Sequence, residues 1–237
     1  TSDKVNQAAL ENAASLQRAK ASLDLDEVSF EKRLRLAQHC YDLYASNRPG
    51  RPTNDFTALE LGTGWFPVVP ISLWLCGTQR IWTFDITSLL NAQRLHATLT
   101  RFVDAARDNS LSALLPAAQT NRVEQLEALW SRSAVEDPIA LLASVGIDVR
   151  VQDAQNTGLA SRSVDIFTST SVLEYIPRPV LAALFGEFAR IAKPGAVSSH
   201  FINLGDQYRH FDRSLSPLNF LRFTESQWRL FNSALVP

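Results

Sequence analysis

Chemistry is most legible around Ala58-Leu59-Glu60-Leu61-Gly62-Thr63-Gly64-Trp65-Phe66-Pro67, where an apolar run meets two glycines and then a proline that suits a helix start. Two glycines at a strand-to-helix junction let bare main chain lie against a ligand, and the helix start offers it free N–H groups. About twenty residues further on, Ile81-Trp82-Thr83-Phe84 ends in Asp85, an acceptor-only group able to take both hydrogen bonds of a ribose diol. The pair points to a nucleoside. A plain strand-turn-helix with an incidental surface Asp is the competing reading of either feature alone.

A dinucleotide would ask for a third glycine where the helix packs tightly and the pyrophosphate rests. Pro67 occupies that place, preceded by bulky Trp65 and Phe66. S-adenosylmethionine has no phosphate and tolerates the bulk, so it is the expected cofactor.

Short apolar runs alternating with helical segments are the pattern of a mostly parallel sheet covered on both faces, an α/β, Rossmann-like class. Expected strands are 57–61, 80–84, 147–151, 164–168 and 197–204, with a helix opening at Pro67 and another from 179 to 192, ended by Lys193-Pro194-Gly195. Residues 1–55 read as an N-terminal helical extension with helices at 5–23 and from Phe30 to Tyr44; residues 56–237 read as the main domain. The second and third strands stand roughly sixty residues apart, more than one crossover needs. A helical insertion of two or three helices is therefore expected at about 88–144, either as an added packing layer or as a lid over the ligand edge.

These motifs resemble those of the class I, Rossmann-like S-adenosylmethionine-dependent methyltransferases. Glu60-Leu61-Gly62-Thr63-Gly64 is similar to their first motif, Asp85 falls where their ribose-binding acid ends the second strand, and Val151-Gln152-Asp153-Ala154 resembles the end of their third. The runs Ser163 to Pro177 and Ala189 to Ala196 resemble the fourth strand with its exit and the turn before the fifth. The resemblance implies cofactor contacts from Glu60, Gly62, Thr63, Gly64 and Asp85 with Ile86 beside it, from Asp153 and Ala154 around the adenine, and from Ser171. Three features depart from the family: Phe66 replaces its third glycine, Tyr175 stands where many members carry His, and no terminal strand pair is evident after residue 204. Instead Thr224 and Gln227 form a capping-box pattern before a helix, so either the sequence stops before the fold does or the pair is replaced.

Methyl transfer is an in-line displacement needing alignment and exclusion of water, and no metal is expected. Glu174, Asp206, Tyr208, His210 and Asp212 follow the fourth and fifth strands on the ligand side; Asp206 and His210 are the candidate catalytic groups, with a solvated connection as the alternative. His200 reads as a hydrogen-bonded strand residue, and His39 and His96 lack the clustered partners of a metal site. With 46% hydrophobic and 20% charged residues and a net charge of -1, the chain has no field that would hold nucleic acid or a membrane surface; Lys32-Arg33-Leu34-Arg35 reads as a solvated face. Cys40 and Cys76 read as core thiols of a cytoplasmic protein. The expected activity is methyl transfer to a small-molecule or glycan-like acceptor. A non-catalytic S-adenosylmethionine-binding regulatory or assembly protein is the alternative, and a nicotinamide-dependent oxidoreductase a more distant one.

Overall fold

The computed structural model describes residues 25–48, 55–206, 209, 212–224 and 226–227. Five parallel strands form one sheet in the order β3-β2-β1-β4-β5, with β1 Phe56–Leu61, β2 Thr78–Asp85, β3 Ile147–Val151, β4 Val164–Thr170 and β5 Ala192–Phe201. After β3 the chain crosses to the far side of β1. The switch point thus falls between β1 and β4, whose carboxyl ends diverge and open a crevice.

Side-chain alternation assigns each face its cover. Phe56 and Ala58 of β1 and Ile81 of β2 join the core under α1 (Glu27–Ser46) and α2 (Val68–Leu75), whereas Leu59, Leu61, Trp82 and Phe84 join the core under α8 (Arg178–Ile191). α1 starts at Asp26, whose carboxylate accepts from the Ser29 amide, and it buries Phe30, Leu34, Ala37, Cys40 and Tyr44 at helical spacing. α2 is apolar except for Ser72, whose hydroxyl donates to the Val68 carbonyl at 2.8 Å, and every one of its residues is buried, with Pro70 tolerated in the first turn. The Cys40 and Cys76 thiols are both in this core. The expected helix at 5–23 lies outside the described residues, but α1 shares the core of the sheet rather than standing apart from it.

Between β2 and β3 lie α3 (Ala92–Arg107), α4 (Ser110–Leu114), α5 (Thr120–Val123), α6 (Leu126–Arg132) and α7 (Pro138–Ala143). Five helices replace the expected two or three. Four of them span seven residues or fewer, too few turns for apolar periodicity to register. The insertion packs as part of the core through Leu111, Leu114, Leu126 and Leu141.

β5 begins earlier than expected. Lys193-Pro194-Gly195 interrupts nothing, because the register shifts between Val164 and Ile166 and the extra residues bulge along β5, with Gly195 at φ +79°. The bulge brings Lys193 Nζ to 2.6 Å from Asp165 Oδ2, while Arg48 beyond α1 reaches Oδ1 at 2.8 Å and the Thr57 amide donates to Oδ2 at 2.9 Å. A carboxylate 1% exposed thereby joins the end of α1, the start of β1 and the start of β5. Among the described residues no strand follows Phe201; residues 202–204, expected to extend β5, are irregular. The capping box forms, the Thr224 amide donating to Gln227 Oε1 at 2.9 Å and the Gln227 amide to Thr224 Oγ1 at 3.3 Å.

Asp165→Ala leaves two partly buried cations without their carboxylate. Urea unfolding is expected to show a loss of roughly 3–5 kcal/mol, with no change in the residues that line the crevice.

Candidate active site

The β1 turn is built by its two glycines. Gly62 (φ +83°) donates its amide to the Phe84 carbonyl at 2.7 Å, and a Cβ there would stand 2.3 Å from Val172 Cγ2. Gly64 (φ +63°) meets nothing nearer than 4.0 Å, so the space before it is open. Thr63 turns inward, its hydroxyl bonded to that of Thr83 at 2.7 Å. Across the switch point Ser171 holds φ +54°, a rare conformation for a side-chain-bearing residue, and donates its amide to the Phe201 carbonyl. That turn aims Val172 at Gly62.

Two adjoining cavities result. The larger, about 250 Å³, runs from the glycine turn to the start of α1 and includes Glu60, Gly62, Thr63, Gly64, Asp85 and Ser171 in its wall. The smaller, about 100 Å³, lies over Leu61 and Phe84 and includes Asp85, Ile86, Asp153 and Ala154. Gly62, Asp85, Val172 and Tyr175 line both, which makes them the waist. Every cofactor candidate read from the sequence is thus at one cavity or the other.

Asp85 is the hinge between them. Its Oδ2 accepts the Gly64 amide at 3.0 Å and its Oδ1 the Thr87 amide at 3.0 Å. Burial raises its pKa, and these amide hydrogen bonds pull it back down. Each oxygen keeps a second lone pair able to accept a further hydrogen bond. Asp153 caps the short turn Ala154–Asn156 by accepting from the Gln155 amide at 2.9 Å, and Ala154 is buried beside it.

Glu60 supplies the strongest electrostatic signal. Strand alternation turns it toward α1, it is 4% exposed, and its Oε2 has no hydrogen-bond partner. Burial drives its pKa well above 4.5, opposed by the nearby charge of Arg33 from α1 and reinforced by that of Asp85. Arg33 lines the same cavity, which corrects the reading of 32–35 as a solvated face: Lys32 and Arg35 are exposed, Arg33 is not. Its position one turn before the buried Ala37 was the available signal. An orphaned carboxylate beside a guanidinium is the donor set that an α-amino acid zwitterion requires, so these residues fit a nucleoside that carries one. Trp65 and Arg94 are further cavity residues that motif reasoning did not single out.

The catalytic candidates are placed less fully. Asp206 is 6% exposed, its amide donating to the Pro217 carbonyl at 2.6 Å, and it is not in the wall of either cavity. His210 and Tyr208 lie outside the described residues. Glu174 Oε1 accepts the Asn203 amide at 3.3 Å, and Asp212 is exposed, accepting the Ser214 amide. Both ring nitrogens of His200 are engaged, with Ser169 and Ser198 hydroxyls at 2.8 and 2.7 Å, as its strand position suggested. Among the described residues no cluster of His, Cys, Asp and Glu could hold a metal, and no helix is long and apolar enough to cross a membrane.

Gly62→Ala combines the left-handed strain with overlap on Val172. Unfolding by urea is expected to show a loss above roughly 2 kcal/mol, against about 1 kcal/mol for Gly64→Ala, which meets open space. For Glu60→Gln the sign follows from the raised pKa. The folded state holds this proton more tightly than the unfolded one, so native stability falls as pH rises above 4.5. The Gln variant, which mimics the protonated form, is expected to be more stable than the parent at pH 8 and equal to it near pH 4.

Residues 118–199, from the later insertion helices through most of β5, match the family model described as a methyltransferase domain. No curated protein matches the chain by sequence. Among solved structures, a Haemonchus contortus phosphoethanolamine N-methyltransferase, determined with phosphoethanolamine and S-adenosylhomocysteine, aligns over 85% of this chain and 34% of its own at 11% identity and a TM-score of 0.47. A Streptomyces coelicolor geranyl diphosphate C-methyltransferase aligns over 69% and 43% at 14% identity and 0.38. A Methanococcus maripaludis protein described as a putative S-adenosyl-L-methionine-dependent methyltransferase aligns over 89% and 77% at 16% identity and 0.38. The chain thus spans less than half the length of the first two. The match to a methyltransferase-domain model thus falls on the second half of an all-parallel 3-2-1-4-5 sheet whose switch point carries a glycine turn, a Rossmann-like architecture.

Proposed function

We propose that the chain binds S-adenosylmethionine across its two cavities and transfers the methyl group to a small-molecule or glycan-like acceptor. The observation that carries this reading is the buried, partnerless Glu60 Oε2 facing the cavity beside Arg33, with Asp85 at the waist and an apolar pocket beyond it.

The cofactor, when bound, supplies a methyl carbon already activated by a sulfonium leaving group. What this chain contributes is placement. Glu60 takes the α-ammonium group and Arg33 the α-carboxylate, each replacing water that burial has removed. Asp85, oriented by two main-chain amides, accepts from the ribose hydroxyls. Ala154, Ile86 and Leu184 enclose the adenine, with Asp153 at its polar edge. Trp65, Phe66 and Tyr175 exclude water from the larger cavity, where the acceptor must lie to reach the methyl group in line.

Asp206 and His210 are proposed as the groups that take the acceptor's proton, through the segment that follows β5. A cavity of about 250 Å³ suits a small acceptor rather than a macromolecular strand. The balanced net charge agrees with an acceptor that is not nucleic acid. Two buried thiols are in keeping with the reducing conditions of the cytoplasm.

Calorimetric titration with S-adenosylhomocysteine is expected to show saturable one-to-one binding. Asp85→Ala should weaken it by about 1–3 kcal/mol through the loss of charge-assisted hydrogen bonds. Unchanged affinity in that variant defeats the assignment of the waist, and absence of binding by the parent chain defeats the function.

A further inference from the structure

Five charged side chains line the larger cavity: Asp26, Arg33, Glu60, Asp85 and Arg94. Four of them are accounted for by the fold or by the proposed cofactor. Asp26 caps α1, taking the Ser29 amide at 2.8 Å and its hydroxyl at 2.7 Å. Glu60 and Arg33 act on each other, and Asp85 holds the amides of Gly64 and Thr87.

Arg94 is different. It stands in the first turn of α3, where Nη1 donates to the Leu89 carbonyl at 2.7 Å and the guanidinium carbon sits 3.9 Å from the centre of the Trp65 ring. Among the described residues no carboxylate lies within ion-pair distance of it, and desolvation alone pulls its pKa down. The indole face and the carbonyl hold this cation in the cavity wall, and with one hydrogen bond made, most of its five N–H donors have no protein partner among the described residues. Phe66, Val69 and Tyr175 make the adjoining surface apolar.

We infer that Arg94 is the acceptor-recognition residue and that the acceptor is a small molecule with an apolar body and an oxyanion, carboxylate or phosphate, seated on the Arg94 fork. This rests on the proposed methyl transfer and narrows its acceptor. The cofactor's single carboxylate is accounted for by Arg33, whose neighbour Glu60 meets the ammonium group that always accompanies it. A second fixed cation in the same space therefore answers to a second ligand. A guanidinium held against an indole offers its N–H groups edge-on, the geometry that two oxygens of one anion match in parallel. A neutral acceptor would close the cavity over a cation with unmet donors, an unfavourable state that an oxyanion removes.

The test titrates the full chain, saturated with S-adenosylhomocysteine, with benzoate, with phenyl phosphate and with neutral benzyl alcohol of similar size. At least one anion is expected to bind about tenfold or more tightly than the alcohol, and the stronger of the two distinguishes carboxylate from phosphate. Arg94→Gln should abolish that preference while leaving the affinity for S-adenosylhomocysteine within about twofold, and Arg94→Lys should restore part of it. Equal binding of all three probes, no binding of either anion, or a preference that survives in Arg94→Gln overturns the inference. Should Arg94→Gln fail to fold, the comparison of anions with alcohol on the parent chain decides. Failure of S-adenosylhomocysteine to bind at all is a separate result, which removes the proposed function and this acceptor with it.

Discussion

Where β1 ends, the main chain passes under Val172 with no room for a β-carbon, since the Val172 methyl group already stands 2.3 Å from where one would be. The arrangement is held from both sides: Gly62 by its amide bond to the Phe84 carbonyl, Val172 by the left-handed turn at Ser171 and its bond to the end of β5. The contact sits at the topological switch, where strands on either side lead their connections apart. It divides the crevice into a polar chamber toward α1 and an apolar one toward α8. One ligand with a charged tail, a sugar at the middle and a flat apolar end suits that division.

Electrostatics in the polar chamber follow from burial more than from net charge. Glu60 is driven toward its neutral form because it is covered on a strand face that meets a helix, and only Arg33 offsets that penalty. A ligand ammonium group placed here would restore favourable ionisation of the carboxyl, and a ligand carboxylate would relieve the guanidinium. Asp85 is tuned differently, since main-chain amides favour its charged form while burial opposes it. Two acids in one cavity thus reach different settings through different neighbours.

The local parts of this site were readable from residue order. Gly62, Gly64 and Asp85 signal themselves because a turn and a strand end are short-range features, and the motif order placed Asp153, Ala154 and Ser171 around the same crevice. Arg33 was not readable. Its role depends on the docking of α1 against the face of β1 that carries Glu60, a tertiary fact hidden among exposed basic neighbours. Phe66, standing where a glycine was anticipated, packs against the α1–α2 core instead of disturbing the turn. The helices between β2 and β3 outnumber the expected two or three, since α5 has four residues and makes barely one turn. Lys193-Pro194-Gly195 misled the assignment of β5 because a bulge anchored on a buried carboxylate does what breaker residues ordinarily prevent.

Because α1 carries Arg33 into the chamber and is pinned at its other end through Arg48 to Asp165, a ligand held by Arg33 would be linked to the seating of this helix on the sheet. By reciprocity, whatever tightens the hold of the crevice on its ligand also tightens the helix against β4 and β5, and the converse. A cut at residue 55 would therefore not separate an accessory from a catalytic unit. It would strip the cover from β4 and β5 on the face where α2 and the insertion cover the other strands, and it would take Arg33 out of the chamber wall.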